Sequence, residues 1–226
     1  MFSNVQIKKS SFISLFVLLG FLAMQVPFSK IIGSEVKFNL FDFYGPIVGG
    51  FIGSTVGVVI VFVMQLLNWA WHGFALDTAT LIRFLPVLFS VMYFAKKTKW
   101  NLLAPAVCMI TFWAHPEGRI AWTYALYWLI PIIMYILHDK FIFARALGAT
   151  FTAHAVGGAL WVWAFNMKAE IWLSLIPVVW KERGLMAIGI MLTFVIFNYV
   201  LRTIDEKTTI KLPFLKLHPK FSFTTK

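Results

Sequence analysis

Apolar residues in this chain come in long runs separated by short polar breaks. A helix that crosses a bilayer needs about 20 mostly apolar residues, within a range of roughly 17–25. Seven stretches approach that pattern: 11–28, 44–67, 79–95, 101–114, 119–138, 141–165 and 184–201. The fourth is short, which fits a tilted or re-entrant helix. The segment 171–179 is apolar but too short to span, and is expected to lie in the membrane interface. The run at 11–28 follows Lys8 and Lys9, as a signal peptide would. No small-residue cleavage pattern follows it, so it is read as a retained first helix. The pattern predicts an all-α, polytopic integral membrane helix bundle of six to seven transmembrane helices. One transmembrane domain is expected over 1–201 and a basic tail over 202–226, where Pro213 and Pro219 oppose a long helix.

Charge orients the bundle. If all seven segments cross, one side receives Lys30, Lys37, Lys96, Lys97, Lys99, Lys140, Arg145, Arg202, Lys207, Lys211, Lys216, Lys220 and Lys226, which is 13 of the 20 cations. The positive-inside rule puts that side, and the tail, in the cytoplasm of a cell-membrane protein. Dropping the short fourth segment leaves six spans with both ends inside. Both arrangements keep the tail cytoplasmic.

Composition supports a lipid solvent. Apolar residues make up 60% of the chain and charged residues 13%, against roughly 45–50% and about 25% in soluble domains. Mean hydropathy is +0.81. A net charge of +11 would suit nucleic acid if it were gathered on one face. Here the cations sit in loops and tail, so nucleic acid is not an expected partner. A single cysteine, Cys108, excludes an intramolecular disulfide and a cysteine-based metal site.

Small residues recur at helical spacing. Gly45, Gly49, Gly53 and Gly57 fall every four residues, which puts them on one helical face. Such a face lets another backbone approach closely in lipid. It serves either packing within the bundle or docking of a membrane partner. Ala149, Ala153 and Gly157 form a related stripe.

Polar groups at membrane depth are costly and tend to be functional. His154 lies near the middle of 141–165, with Trp161, Trp163 and Asn166 further along. Tyr124 and Trp128, together with the turn containing His115 and Glu117, are expected to face them. Aromatic walls with a few polar groups suit a small-molecule site. The competing reading is structural: a satisfied histidine, a Glu117–Arg119 pair and an aromatic belt. No G-x-S-x-G, H-E-x-x-H or Walker A motif is present. No catalytic residue, metal ligand or cofactor is therefore expected, and no ATP-coupling element within the chain. No segment centre carries Asp or Glu, which argues against a carboxylate relay.

The stretch FDFYGPIVGGFIGSTVGVVIVFVMQLL resembles the second helix of the substrate-binding S components of energy-coupling-factor (ECF) transporters. RFLPVLFSVMYFAKK is similar to the helix that follows it, and IWLSLIPVVWKERGLMAIGIMLTFVIFNYVL to the last loop and helix. The resemblance implies capture of a vitamin-like solute in an outward-facing pocket. It also implies a transmembrane coupling subunit and two ATPase subunits as partners. Docking residues would be Gly45, Gly49, Gly53, Gly57, Gly20 and Ala23. Residues 1–10 carry no histidine, which separates the chain from the family's metal-specific relatives. The alternative function is a non-enzymatic membrane scaffold that uses the glycine faces. A lipid-modifying enzyme is the third class, with only Glu117, Glu170 and Glu182 available at the interface.

Overall fold

A computed structural model describes residues 4–30 and 37–221. Lys226, counted above among the cytoplasmic cations, lies outside them. Helix α1 (Asn4–Met24) leads into a small antiparallel hairpin, β1 (Pro27–Lys30) and β2 (Lys37–Asn39). Eight helices follow: α2 (Phe41–Ile52), α3 (Ser54–Trp71), α4 (Thr78–Ala95), α5 (Trp100–Ala114), α6 (Pro116–Ile120), α7 (Leu129–Leu137), α8 (Ile142–Phe165) and α9 (Ala169–Lys207). A 3-10 turn over Tyr124–Trp128 precedes α7, and another lies at Pro219–Phe221. The protein is thus an all-α bundle, and α1, α3, α4 and α9 are long and apolar enough to cross a membrane.

Its outer surface is apolar. Val59, Phe62, Val63 and Leu67 on α3 are exposed, as are Leu185, Ile188, Leu192 and Ile196 on α9. In water such stripes would drive aggregation; in lipid they are matched to the solvent. Lipid also removes most of the hydrophobic drive between helices, so close van der Waals fit must hold them. The interior helix α8 shows how. It buries Ala144, Ala146, Gly148, Ala149, Ala155, Gly158 and Ala159, and it packs against α4, α5, α7 and α9. A Cβ on Gly148 would lie 2.2 Å from the Tyr93 ring, and one on Gly158 would lie 2.6 Å from Trp128.

The run expected at 44–67 is two helices. Gly53, with φ 95° and ψ 165°, breaks it between α2 and α3, a conformation that costs glycine nothing and most residues a great deal. The chain then folds back so sharply that a Cβ on Gly57 would lie 2.7 Å from the Gly49 Cα. The glycines therefore do not form one continuous face. Gly45 and Gly49 pack on Val87 and Val91 of α4, and Gly20 packs on Met64 and Tyr44. As docking residues, Gly45, Gly49, Gly57 and Gly20 are corrected: their faces are covered from within the chain. Ala23 is half-buried beside the same core.

The region 119–138 is also divided, into α6, the 3-10 turn and α7. At the other end, 171–179 is not a separate interfacial piece. It forms the first part of α9, which continues through Pro177 without a break. The first part of α9 buries Trp172 and Val179 in a cluster with α5, α7 and α8, whereas Ile190, Phe194 and Leu201 join a second cluster with α1, α2 and α4. One helix thus joins both halves of the core.

The tail is not a free appendage. Leu212 and Leu215 are buried in the second cluster. Asn198, fully buried on α9, donates to the His218 carbonyl at 2.9 Å and accepts from the His218 amide at 2.9 Å. The Lys216 amide donates to the Phe51 carbonyl at 2.8 Å. Arg145, counted above as a loop cation, is buried instead. It donates to the Phe94 carbonyl and, at 3.0 Å, to the Ala95 carbonyl. These are orphan acceptors at the end of α4, where a cation also opposes the helix dipole.

Candidate functional site: a cavity between the two halves of the core

A cavity of about 790 Å³ lies among α2, α3, α4, α8 and α9. Its rim carries Gln25, Asn68, His72 and Thr80; its walls carry Asp42, Arg83, Tyr124, Thr150, His154, Trp161, Trp172, Glu182 and Arg183. Ser90 and Ile190 line it further in. The entrance is braced locally. Asp77 caps α4, accepting from the Thr80 amide at 2.8 Å and the Thr80 hydroxyl at 2.7 Å. These bonds hold its carboxyl below the usual range.

Three of the eight sequence-derived binding residues, Tyr124, His154 and Trp161, line the cavity. Trp128 stands directly behind them. Its indole Nε1 donates to His154 Nδ1 at 3.0 Å, and His154 Nε2 lies 2.8 Å from the Tyr124 hydroxyl. An indole can only donate, so Nδ1 must accept, and the neutral ring carries its proton on Nε2. That proton goes to the Tyr124 oxygen. The hydroxyl proton of Tyr124 then has no acceptor within this chain of bonds. His154 is thus satisfied by hydrogen bonds, and Tyr124, bonded to it, carries a donor at the cavity wall.

The other four have different work. Trp163 is exposed, donates to the Thr111 carbonyl at 2.9 Å and stands edge-on to His115. Asn166 ends α8 in the left-handed region, at φ 47°. His115 caps α6, its Nδ1 accepting from the Glu117 amide at 3.2 Å. Glu117 does not pair with Arg119. It accepts from Lys168 Nζ at 3.1 Å and from the Ala169 amide at 2.9 Å, clasping the start of α9. Placing Trp163, Asn166, His115 and Glu117 in the pocket is therefore corrected. They fix the α5–α6 and α8–α9 turns, and none lines the cavity.

Asp42, Arg83, Ser90, Glu182 and Arg183 were not among the binding residues expected from the sequence. Glu182 and Arg183 look like loop charges when α9 is started at residue 184. With α9 running from Ala169, both sit inside the helix and on the cavity wall. Glu182 lies before the segment expected at 184–201 but inside α9 as the structure has it, so this helix does carry a carboxylate. Arg183 lies 3.6 Å from the Glu182 carboxylate and 3.5 Å from the Thr150 hydroxyl, with its guanidinium 5.0 Å from the Phe38 ring. Asp42 accepts from the Asn39 amide at 2.8 Å, in the electrostatic field of Arg83, Arg183 and Glu182. A helical charge placed before a predicted span was the available signal.

Among the described residues, no group of three or more His, Cys, Asp or Glu side chains is arranged to hold a metal ion. The cavity walls carry aromatic surface, two cations, two carboxylates and several hydroxyls. Comparison with protein-family models, with curated proteins and with solved structures finds no match to this chain.

Proposed function

We propose that this chain is the solute-capturing subunit of an ATP-driven micronutrient importer in the cell membrane. It would cross the membrane six to seven times with its C-terminus in the cytoplasm. The observation that carries this reading is the 790 Å³ cavity, enclosed by apolar helices and lined with charged and aromatic groups. Small-molecule sites occupy about 300–1,000 Å³ and place a few polar groups on apolar walls. A bundle serving only as a scaffold has no need to hold Arg183, Glu182 and Asp42 around a cavity, because polar groups at that depth cost stability. The resemblance to ECF S components supplies the rest of the reading: a coupling subunit and ATPases provide the energy, and this chain provides recognition.

The test is extraction of the tagged chain from its native membrane in mild detergent, followed by mass spectrometry of proteins and small molecules. Recovery of a second membrane subunit, an ATPase pair and a retained metabolite is the expected result. Recovery of the chain alone and empty would overturn the importer reading and favour the scaffold.

A further inference from the structure

We propose that the ligand of this cavity is an aromatic carboxylate. Its acid group is received by the Arg183 guanidinium and the Tyr124 hydroxyl, and its ring lies beside Trp161 and Trp172. This rests on the solute-capture reading and names the class of solute.

The cavity wall holds donors that lack acceptors. A guanidinium has five N–H donors. Among the described residues, the Arg183 side chain makes one hydrogen bond, a long one of 3.5 Å to Thr150, and its contact with Glu182 at 3.6 Å is an ion pair beyond hydrogen-bond length. Its Nε is buried with no partner. Arginine inside a membrane bundle is ordinarily paired and hydrogen-bonded, so this one is under-satisfied. Tyr124 is in the same state for a different reason. The sequence of bonds Trp128 to His154 to Tyr124 runs in one direction only, and it leaves the phenolic proton over. Arg183 is near enough to act electrostatically on both Tyr124 and His154. Ser90 Oγ, also on the wall, is buried and unpartnered.

No carboxylate oxygen of Asp42 or Glu182 is among the buried atoms without a partner: Asp42 takes the Asn39 amide, and Glu182 stands in an ion pair with Arg183 at 3.6 Å. What the cavity lacks is therefore acceptor oxygen. A carboxylate brings two such oxygens and matches the guanidinium fork. A cationic ligand could pair with Glu182 or Asp42, but it would leave the Arg183 Nε and the Tyr124 hydroxyl proton without an acceptor. Ring surface comes from Trp161 and Trp172. The Trp172 indole N–H is already bonded to the Met167 carbonyl at 3.2 Å, so this residue offers the cavity only its apolar ring.

The test uses the full chain in lipid nanodiscs and three probes that share one ring: 2-naphthoate, 2-naphthalenemethanol and 2-naphthylmethylamine. Calorimetry against empty nanodiscs should show the acid binding at least about 10-fold more tightly than the alcohol, the scale of one charge-assisted hydrogen bond. The amine should bind most weakly. Arg183→Gln should remove that advantage and leave the alcohol unchanged. Should Arg183→Gln fail to fold, Tyr124→Phe supplies the second variant and should weaken the acid selectively. Equal or tighter binding of the alcohol or the amine overturns the carboxylate assignment and leaves the pocket standing. No binding of any probe overturns the assignment and the capture reading together.

Discussion

Glu117 shows how a residue that looks ligand-binding in the sequence can be structural. Its carboxylate closes the turn between α8 and α9 by accepting from the Ala169 amide and Lys168. Those two bonds hold its carboxyl below the usual range, the amide contributing most. A depressed pKa favours the folded state once the unfolded carboxylate has ionised, above about pH 4.3. The contribution is lost as pH falls through the folded value. The wild-type melting temperature should therefore drop in acid, and part of that drop should vanish in Glu117→Gln; identical acid profiles would remove Glu117 from the clasp. His154 carries the opposite lesson. Its depth in an apolar run marked it in the sequence as a residue needing partners. Which partners it has, and that they leave a donor on Tyr124, depended on Trp128 arriving from another element.

Glycine acts differently in each helix, and spacing did not reveal how. The four-residue repeat from Gly45 to Gly57 was legible, but the break at Gly53 was not. The repeat fits an unbroken helix as well as an elbow, and only the packing of α3 back on α2 selects the elbow. Two substitutions separate the roles. A Cβ on Gly118 would lie 2.0 Å from the Phe112 backbone carbonyl oxygen, so Gly118→Ala must move main chain. The cost should be about 1–3 kcal/mol, the range for overpacking. Gly184, inside α9, has nothing within 4 Å of the added atom. Gly184→Ala should be neutral or stabilise by up to about 1 kcal/mol, the difference in helix propensity. Thermal unfolding of the two variants in one detergent checks both. Equal effects would mean that neither contact governs.

At the scale of the whole molecule, the tail completes the core. Leu212 and Leu215 are buried, and Asn198 is buried with its amide satisfied by His218. Truncation after Thr209 should expose the pocket that the leucines fill and strand Asn198. Each buried leucine is worth roughly 1.5–3 kcal/mol, so the truncated chain should melt well below the full chain. An unchanged melting temperature would show that residues 210–226 do not contribute to the folded core. The sequence marked this region only as basic and proline-containing, because two leucines among lysines carry no periodic signal.

Apolar run length against bilayer thickness determined the all-helical membrane character, and it placed α4, α5 and α8 closely from residues 79–95, 101–114 and 141–165. That constraint is local: each segment must satisfy its own backbone in lipid wherever the others lie. The cavity had no such local signature. It arises because α9 starts fifteen residues before its most apolar stretch, which carries Glu182 and Arg183 into the bundle. It arises also because α2 and α3 bend at Gly53, which brings Asp42 to the same cavity as Gln65 and Asn68. A cavity lined by side chains from several helices is a property of how the helices pack. Only the tertiary structure decides it.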